Sequence, residues 1–560
     1  MKRIISLCII ISIVLPLMAQ SSQVKKAAKN IFKLTTFNAE GKLLSTSYGI
    51  LVDADGTALS SWSAFVGASS ANIIDAQGRK YDVDCLIGAN EIYNVSKFRV
   101  VVPDEKKMQI TPINITSETV PAGGECWMVE YAMKNPVIKR FSPSVVETFA
   151  ENLPYYTFEQ TASDDLAGSP FLNASGELMG LMQPANKRTD LYCPSAQYAM
   201  AMTVNALTAN QATIRQTNIR VALPDTYDQA LLALMMAQSR NNPDKLIAMG
   251  DEFVRLFPNA YEGYNAKASA YTDKGEYAQA DAVMRECLEK SDKKEEAHFA
   301  FSRLIYNKVV FGNDSSFTEW TLDKAMEEIK AAHDINPQPT FILHRAKIYF
   351  AQKNYDMAYK DFIDVTETNM RSAECFYDAA LCKKNLNAEK ETIIALLDSA
   401  VACFPEPYTA DAAPFLLARA QYLDEVGLTR KAVNDLYSYE KIMQQRLSSE
   451  FYYMREQMEL RCRLYQQAID DIEKACLMAP QEATYIVEKA LLLVRVNKLD
   501  DALNTIKECI RLFPNNGDAH SILGLTLIQM GKKNEGIAEL EQAKGLNSEM
   551  AQPLLEKYGK

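Results

Sequence analysis

The feature that most limits how this chain can fold is a repeat near 34 residues, running from about residue 226 toward the C-terminus. Ala325, Ala332 and Pro337 are spaced 7 and 5 apart. Ala468, Ala475 and Pro480 repeat that spacing, and so do Ala502, Cys509 and Pro514. Small residues at fixed positions let two helices approach closely, and proline ends the second helix. One such pair cannot bury its apolar face alone, so the units must stack. The pattern predicts an all-α solenoid over 226–547, with starts near 226, 259, 293, 338, 372, 406, 448, 481 and 515. Residues 548–560 are expected to form a capping helix, and "VFGNDSSFT" at 310–318 an insertion within the third unit.

Residues 29–210 have a different period. Short β-branched and aromatic runs ("YGILVDADGTALSS", "ECWMVEY", "SVVETF", "YYTFEQTA", "YAMAM") are cut by the turn sequences DADG, DAQG and NASG. Many short strands at close spacing predict a barrel or sandwich. Residues 203–210 are expected to close the domain as a helix, and 211–225 to link it to the solenoid.

The unit "YEGYNAKASAYTDKGEYAQADAVMRECLEKS" at 261–291 carries Tyr264, Ala268, Tyr271, Gly275, Tyr277, Ala280 and Cys287. Ala358 and Ala432 mark further units, and Gly524, Gly531 and Ala543 the last clear one. On these residues the helical half resembles tetratricopeptide-repeat (TPR) proteins, which implies a groove for a protein or peptide partner. The resemblance places the groove at the fifth, ninth and twelfth positions of each first helix. These include Asn265, Ser269 and Thr272; Leu343, Lys347 and Phe350; Leu417, Gln421 and Asp424; and Val487, Leu491 and Val494.

Four stretches of the β half, taken in order, resemble the trypsin-like serine peptidases of the HtrA/Deg type. "YGILVDADGTALSSWSAFVGA" follows the strand and turn that carry the histidine, with Ser63 at its position. "DAQGRKYDVDCLIGANEIYNVSKFRVVV" follows the aspartate segment, with Asn94 at its position. "DLAGSPFLNASGELMGLM" follows the nucleophile loop, with Ala167 on the serine and Asp165 on a glycine of the oxyanion loop, which continues through Gly168. "YAMAMTVNAL" resembles the closing segment. The resemblance implies a multidomain chain: an N-terminal all-β trypsin-like double barrel fused to an all-α TPR solenoid.

The same resemblance implies a domain without its chemistry. A triad needs a hydroxyl, an imidazole and a carboxylate, and Ser63, Asn94 and Ala167 supply none of them in role. The four histidines, His298, His333, His344 and His520, all lie in the helical half. No imidazole from residues 1–297 can activate a nucleophile, wherever the motif is placed. Ser169 precedes Pro170 at a structural position, and Asp164–Asp165 reads as a pair of solvated loop acids. A Ser/Lys route would have to use Lys97, Lys134 or Lys187, which nothing in the sequence sets beside a serine.

Lys2 and Arg3 precede an apolar run, Ile4–Met18, and Ala19 offers a small residue for cleavage, so 1–19 is expected to be a signal peptide. No later segment is long and apolar enough to span a membrane, which places the mature chain in the periplasm or outside the cell. The net charge of −11 is spread without a basic stripe, which argues against nucleic acid. Ten cysteines follow the signal, scattered singly, with no metal spacing and no cofactor motif. The sequence therefore reads as an exported pseudoprotease–TPR scaffold that binds a protein or peptide. An endopeptidase working by a non-standard route, or a purely structural envelope component, are the alternatives.

Overall fold

The computed structural model describes residues 22–559 apart from 103–109, 161, 184–189, 240–241, 313 and 315. The expected signal peptide and Lys187 lie outside these residues. The chain divides into two compact units at Leu304/Ile305, with Asp314–Phe317 belonging to the first.

The first unit opens with an all-β domain. Strands β1 (Ile31–Phe37), β2 (Leu43–Leu51), β3 (Thr57–Ser60), β4 (Ser70–Asp75), β5 (Lys80–Asn90) and β6 (Val95–Val100) close into a barrel of order β1-β2-β3-β6-β5-β4. Seven more strands follow: β7 (Cys126–Glu130), β8 (Val137–Phe141), β9 (Val145–Phe149), β10 (Leu153–Phe158), β11 (Pro170–Leu172), β12 (Leu178–Leu181) and β13 (Leu191–Pro194). They form a sheet of order β12-β11-β7-β8 and another of order β13-β10-β9. Isolated bridges, Gly180 with Ser195 and Gln183 with Tyr192, join the two. If β8 and β9 are taken as one interrupted strand, the second set runs 1-2-3-6-5-4, the order of the closed barrel.

The turns explain the hairpins. In DADG, DAQG and NASG the first side chain, Asp53, Asp75 or Asn173, accepts from the backbone N–H groups two and four residues on. The last residue of each, Gly56, Gly78 or Gly176, has φ between +75° and +89°, which glycine adopts without strain. Each barrel half closes over aromatic rings. Phe32, Phe65 and Phe98 meet edge to face in the first, and Phe158 stacks on Phe171 at 4.6 Å in the second. Trp62 and Phe65, on either side of the Ser63 turn, are both buried.

The closing segment departs from expectation. "YAMAM" was expected as a strand, but residues Ala196–Met200 form a short helix. Ser195 caps it by accepting from Gln197 N–H at 3.3 Å, and alanine and methionine favour the helix. Residues 203–210, expected to be helical, hold only a 3₁₀ turn at Thr208–Asn210.

From Tyr227 onward the described residues form eighteen successive helices, numbered here two by two as pairs, and a final helix, Ala551–Tyr558. The first two pairs, Tyr227–Gln238 with Pro243–Leu256 and Tyr261–Asp273 with Tyr277–Lys290, belong to the first unit. The small residues that set the period, including Ala268, Ala280, Ala325, Ala358, Ala432, Ala468 and Ala502, are fully buried. A methyl group at Gly524 would meet the Gly536 carbonyl and Leu540, which shows how tightly the ninth pair closes.

Three pairs carry a further device. Arg345 binds Asp361 through Nε and Nη2 at 2.7 and 2.9 Å. Arg419 binds Asp435 at 2.8 and 2.7 Å, and Arg455 binds Asp471 at 2.5 and 2.8 Å. Each partner is the seventh residue of its helix, so the separation is 16 residues every time. The planar fork of arginine makes the pairing bidentate and fixes the register of one helix on the other.

Candidate functional site

The site implied by the sequence lies where the two halves of the β domain meet. The N–H of Ser63 donates to Asn94 Oδ1 at 2.7 Å, and the N–H of Trp62 donates to the Asn94 carbonyl at 3.2 Å. These two matched positions are therefore in direct contact. Asn94 has φ +46°, a conformation its short amide side chain tolerates. The Ser63 hydroxyl is exposed and shares a hydrogen bond with Ser61 at 2.9 Å.

Ala167 is tied to the same region through the backbone of β2. Its carbonyl accepts from Ser47 Oγ at 2.8 Å and from Tyr48 N–H at 3.0 Å. The Tyr48 carbonyl in turn accepts from the buried Ser60 hydroxyl at 2.5 Å, three residues before Ser63. Gly168 has φ +84°, and a methyl group there would collide with the Tyr48 carbonyl. This glycine is required both by its conformation and by the close approach of β2.

The loop ahead of Ala167 is a 3₁₀ turn, Asp164–Leu166, stabilised within itself. The N–H groups of Leu166, Ala167 and Ser169 donate to Ser163, Asp164 and Leu166, and that of Gly168 to Met182. An oxyanion hole requires such donors to point at the reacting oxygen; here all four already have a carbonyl partner. Asp165 is exposed at the loop surface, and burial followed by the Asp165 and Glu130 charges raises the Tyr48 phenol. Ser169 is buried, and its hydroxyl has no hydrogen-bond partner. Lys97 donates to the carbonyls of Met200 and Met202 at 2.7 and 3.1 Å, not to a serine, and Lys134 is exposed.

Next to Asn94 lies a cluster of half-buried rings that the sequence reading missed. Tyr93 packs on Phe149 at 4.5 Å and Tyr198 at 5.1 Å, while Tyr155 packs on Phe149 and Tyr192. Asn90 anchors it by donating to the Tyr198 hydroxyl at 2.8 Å. These rings come from five separate segments, so no local pattern announces them.

In the helical half, the expected groove positions Asn265, Ser269, Thr272, Leu343, Phe350, Leu417, Asp424 and Leu491 are half-buried, while Lys347 and Gln421 are exposed. Val487 and Val494 are buried in a core cluster. β-branched apolar side chains at those positions pack inward between helices.

The cysteines are free thiols, seven of the ten fully buried. Burial pushes Cys126 and Cys382 up to about 12, far from a reactive thiolate. Among the described residues, no group of three or more His, Cys, Asp or Glu is placed to hold a metal ion, and no helix is long and apolar enough to cross a membrane.

The tetratricopeptide repeat family matches residues 261–289 and 517–550, the second and ninth helix pairs. No curated protein matches the chain.

Proposed function

We propose that this chain is a partner-binding scaffold: its repeat face captures a protein or peptide, and its β domain is a trypsin-like peptidase fold that no longer cleaves. The match of two helix pairs to the tetratricopeptide repeat carries the first part. Stacked repeats present the same helix positions in series, a surface suited to an extended or helical peptide.

Two observations support the second part. With β8 and β9 taken as one interrupted strand, the second half of the β domain follows the strand order of the closed barrel, which supports a double barrel. Ser63 and Asn94 adjoin, yet neither a base nor a carboxylate stands there, and Ala167 offers no hydroxyl. Loss of nucleophile or base alone costs on the order of a million-fold in a triad enzyme. The engaged N–H groups of 166–169 support the loss of donors that would sustain a residual rate. The charged n-region and apolar run of residues 1–19 support export to the periplasm or beyond.

Panning a random twelve-residue peptide library against the full chain tests the binding part. Enrichment of one peptide class is expected, and its absence would overturn the scaffold reading. Labelling by a fluorophosphonate probe tests the other part: stoichiometric modification of any serine within 29–210 would restore the hydrolase.

A further inference from the structure

The face lined by the first helices is not uniform. Where the first helix of the seventh pair, Ser449–Arg461, meets that of the eighth, Ala483–Arg495, two rings and two carboxylates converge. Tyr453 and Tyr485 face each other at 5.0 Å, inclined by 42°. The side-chain amide of Gln457 donates to Glu456 Oε2 at 2.7 Å and to Glu488 Oε1 at 3.3 Å. Tyr453 and Gln457 occupy the fifth and ninth positions of their helix, which the repeat resemblance assigns to the groove.

Glu456 is fully buried, and its Oε1 has no hydrogen-bond partner. A buried carboxylate oxygen without a partner is costly. Two carboxylates here share one neutral amide. Lys489 is engaged with Glu473 at 3.0 Å. The exposed Arg495 acts on Glu456 but forms no ion pair with it. Burial first, and then the Glu488 charge, push Glu456 up to about 8. Among the described residues neither Glu456 nor Glu488 has a cation paired with it, and the seam is flanked by aromatic faces that suit one.

We infer that this seam, between Tyr453, Glu456, Tyr485 and Glu488, recognises the cationic side chain of a basic peptide partner. The inference rests on the scaffold reading and specifies the chemistry of the partner. An arginine or lysine head displaces the Gln457 amide, pairs with Glu456 and Glu488, and lies against the tyrosine rings. Charge-assisted pairs are stronger than the neutral contact they replace.

Fluorescence anisotropy with the full chain tests this, using a labelled peptide of four Gly-Ser-Arg repeats. Its counterpart with citrulline in place of arginine keeps the shape and removes the charge. The arginine peptide is expected to bind about tenfold or more tightly than the citrulline peptide. Glu488→Gln, a half-buried and conservative change, is expected to weaken it about tenfold, and the double variant E456Q/E488Q further. Glu556→Gln, an exposed acid on the last helix, controls for general attraction to an acidic protein and is expected to change nothing. Equal affinity for the citrulline peptide, wild-type affinity in E488Q, equal losses in E556Q and E488Q, or no binding at all would each overturn the inference. Library panning keeps the two readings apart. Enrichment of only acidic or apolar peptides removes the cationic preference and leaves the scaffold standing, whereas no enrichment removes both.

Discussion

The β domain and the helix pairs hold themselves together by different means. Around Ser63, Asn94 and Ala167 the important bonds run largely through backbone groups: the Asn94 and Ala167 carbonyls, both polar groups of Tyr48 and the N–H groups of 166–169. Such bonds depend little on which side chain occupies positions 63 and 167. In three of the helix pairs the register is held by charged side chains, the Arg–Asp forks. Side chains at Ser63, Asn94 and Ala167 can therefore change with the fold intact, while comparable changes in the second region loosen the structure itself.

The sharpest way to break this comparison is at Arg455. It is 1% exposed and bound to Asp471 and Glu440, with Tyr437 and Phe451 against its guanidinium. Arg455→Ala is expected to cost about 3–5 kcal/mol, because it leaves the buried Asp471 with only Lys474, at 3.4 Å, as a partner. Urea denaturation of the full chain measures it; a loss below about 1 kcal/mol would mean the forks do not hold the repeats.

Within the first unit, Glu252 provides an intermediate case. It is buried in the second helix of the first pair and accepts from Arg99 on β6, from Arg220 and from the Leu223 N–H. Asp84 binds the same two arginines. Glu252→Ala is expected to cost about 2–3 kcal/mol and to lower the melting of barrel and first helix pair together. Separate transitions in calorimetry would show that they are not coupled.

A smaller effect depends on pH. Burial first of all holds Glu456 up to about 8 and Glu459 up to about 7. Between the ordinary carboxyl range and these values, the folded chain retains protons that the unfolded chain has released. Stability therefore falls as pH rises from about 5 to about 8. Glu456→Gln removes one of these contributions and is expected to stabilise the chain by about 1–2 kcal/mol at pH 8 and by little at pH 5. Melting temperatures at the two pH values decide it, and an equal shift at both would contradict the assignment.

The smallest expected effect sharpens the other side of the comparison. The triple variant Ser63→His, Asn94→Asp, Ala167→Ser places the residues of a triad at the three positions that the proposed reading matches to it. Its stability is expected to stay within about 1 kcal/mol of the parent. Fluorophosphonate labelling is expected to remain absent, because the N–H groups of 166–169 stay engaged. Stoichiometric labelling would show that side chains alone separate this domain from an active one.

Much of this was legible in the sequence, for physical reasons. Alanine at helix contacts and glycine at turns are local requirements, so the repeat phase and the DADG, DAQG and NASG hairpins could be read directly. Ser63 and Asn94 could be set together because two motifs flank them. The Arg–Asp forks were also legible, as three Arg-to-Asp separations of 16 residues, yet they look like ordinary surface charge until helix register makes them partners. The Glu252 cluster spans 153 residues from Arg99 and leaves no local trace. The inward packing of Val487 and Val494 had no local trace either, because it depends on which neighbouring helices meet that face.

The forks also make some helix pairs unequal as mechanical elements. A helix pair keyed by a bidentate ion pair at its midpoint has one permitted alignment; a slip by a single turn breaks both bonds at once. The fifth pair, with Ala379 at the keyed position, has no such lock. Amide exchange and stretching in an optical trap should therefore find the unlocked fifth pair opening ahead of its keyed neighbours, so that the stack yields at a defined joint.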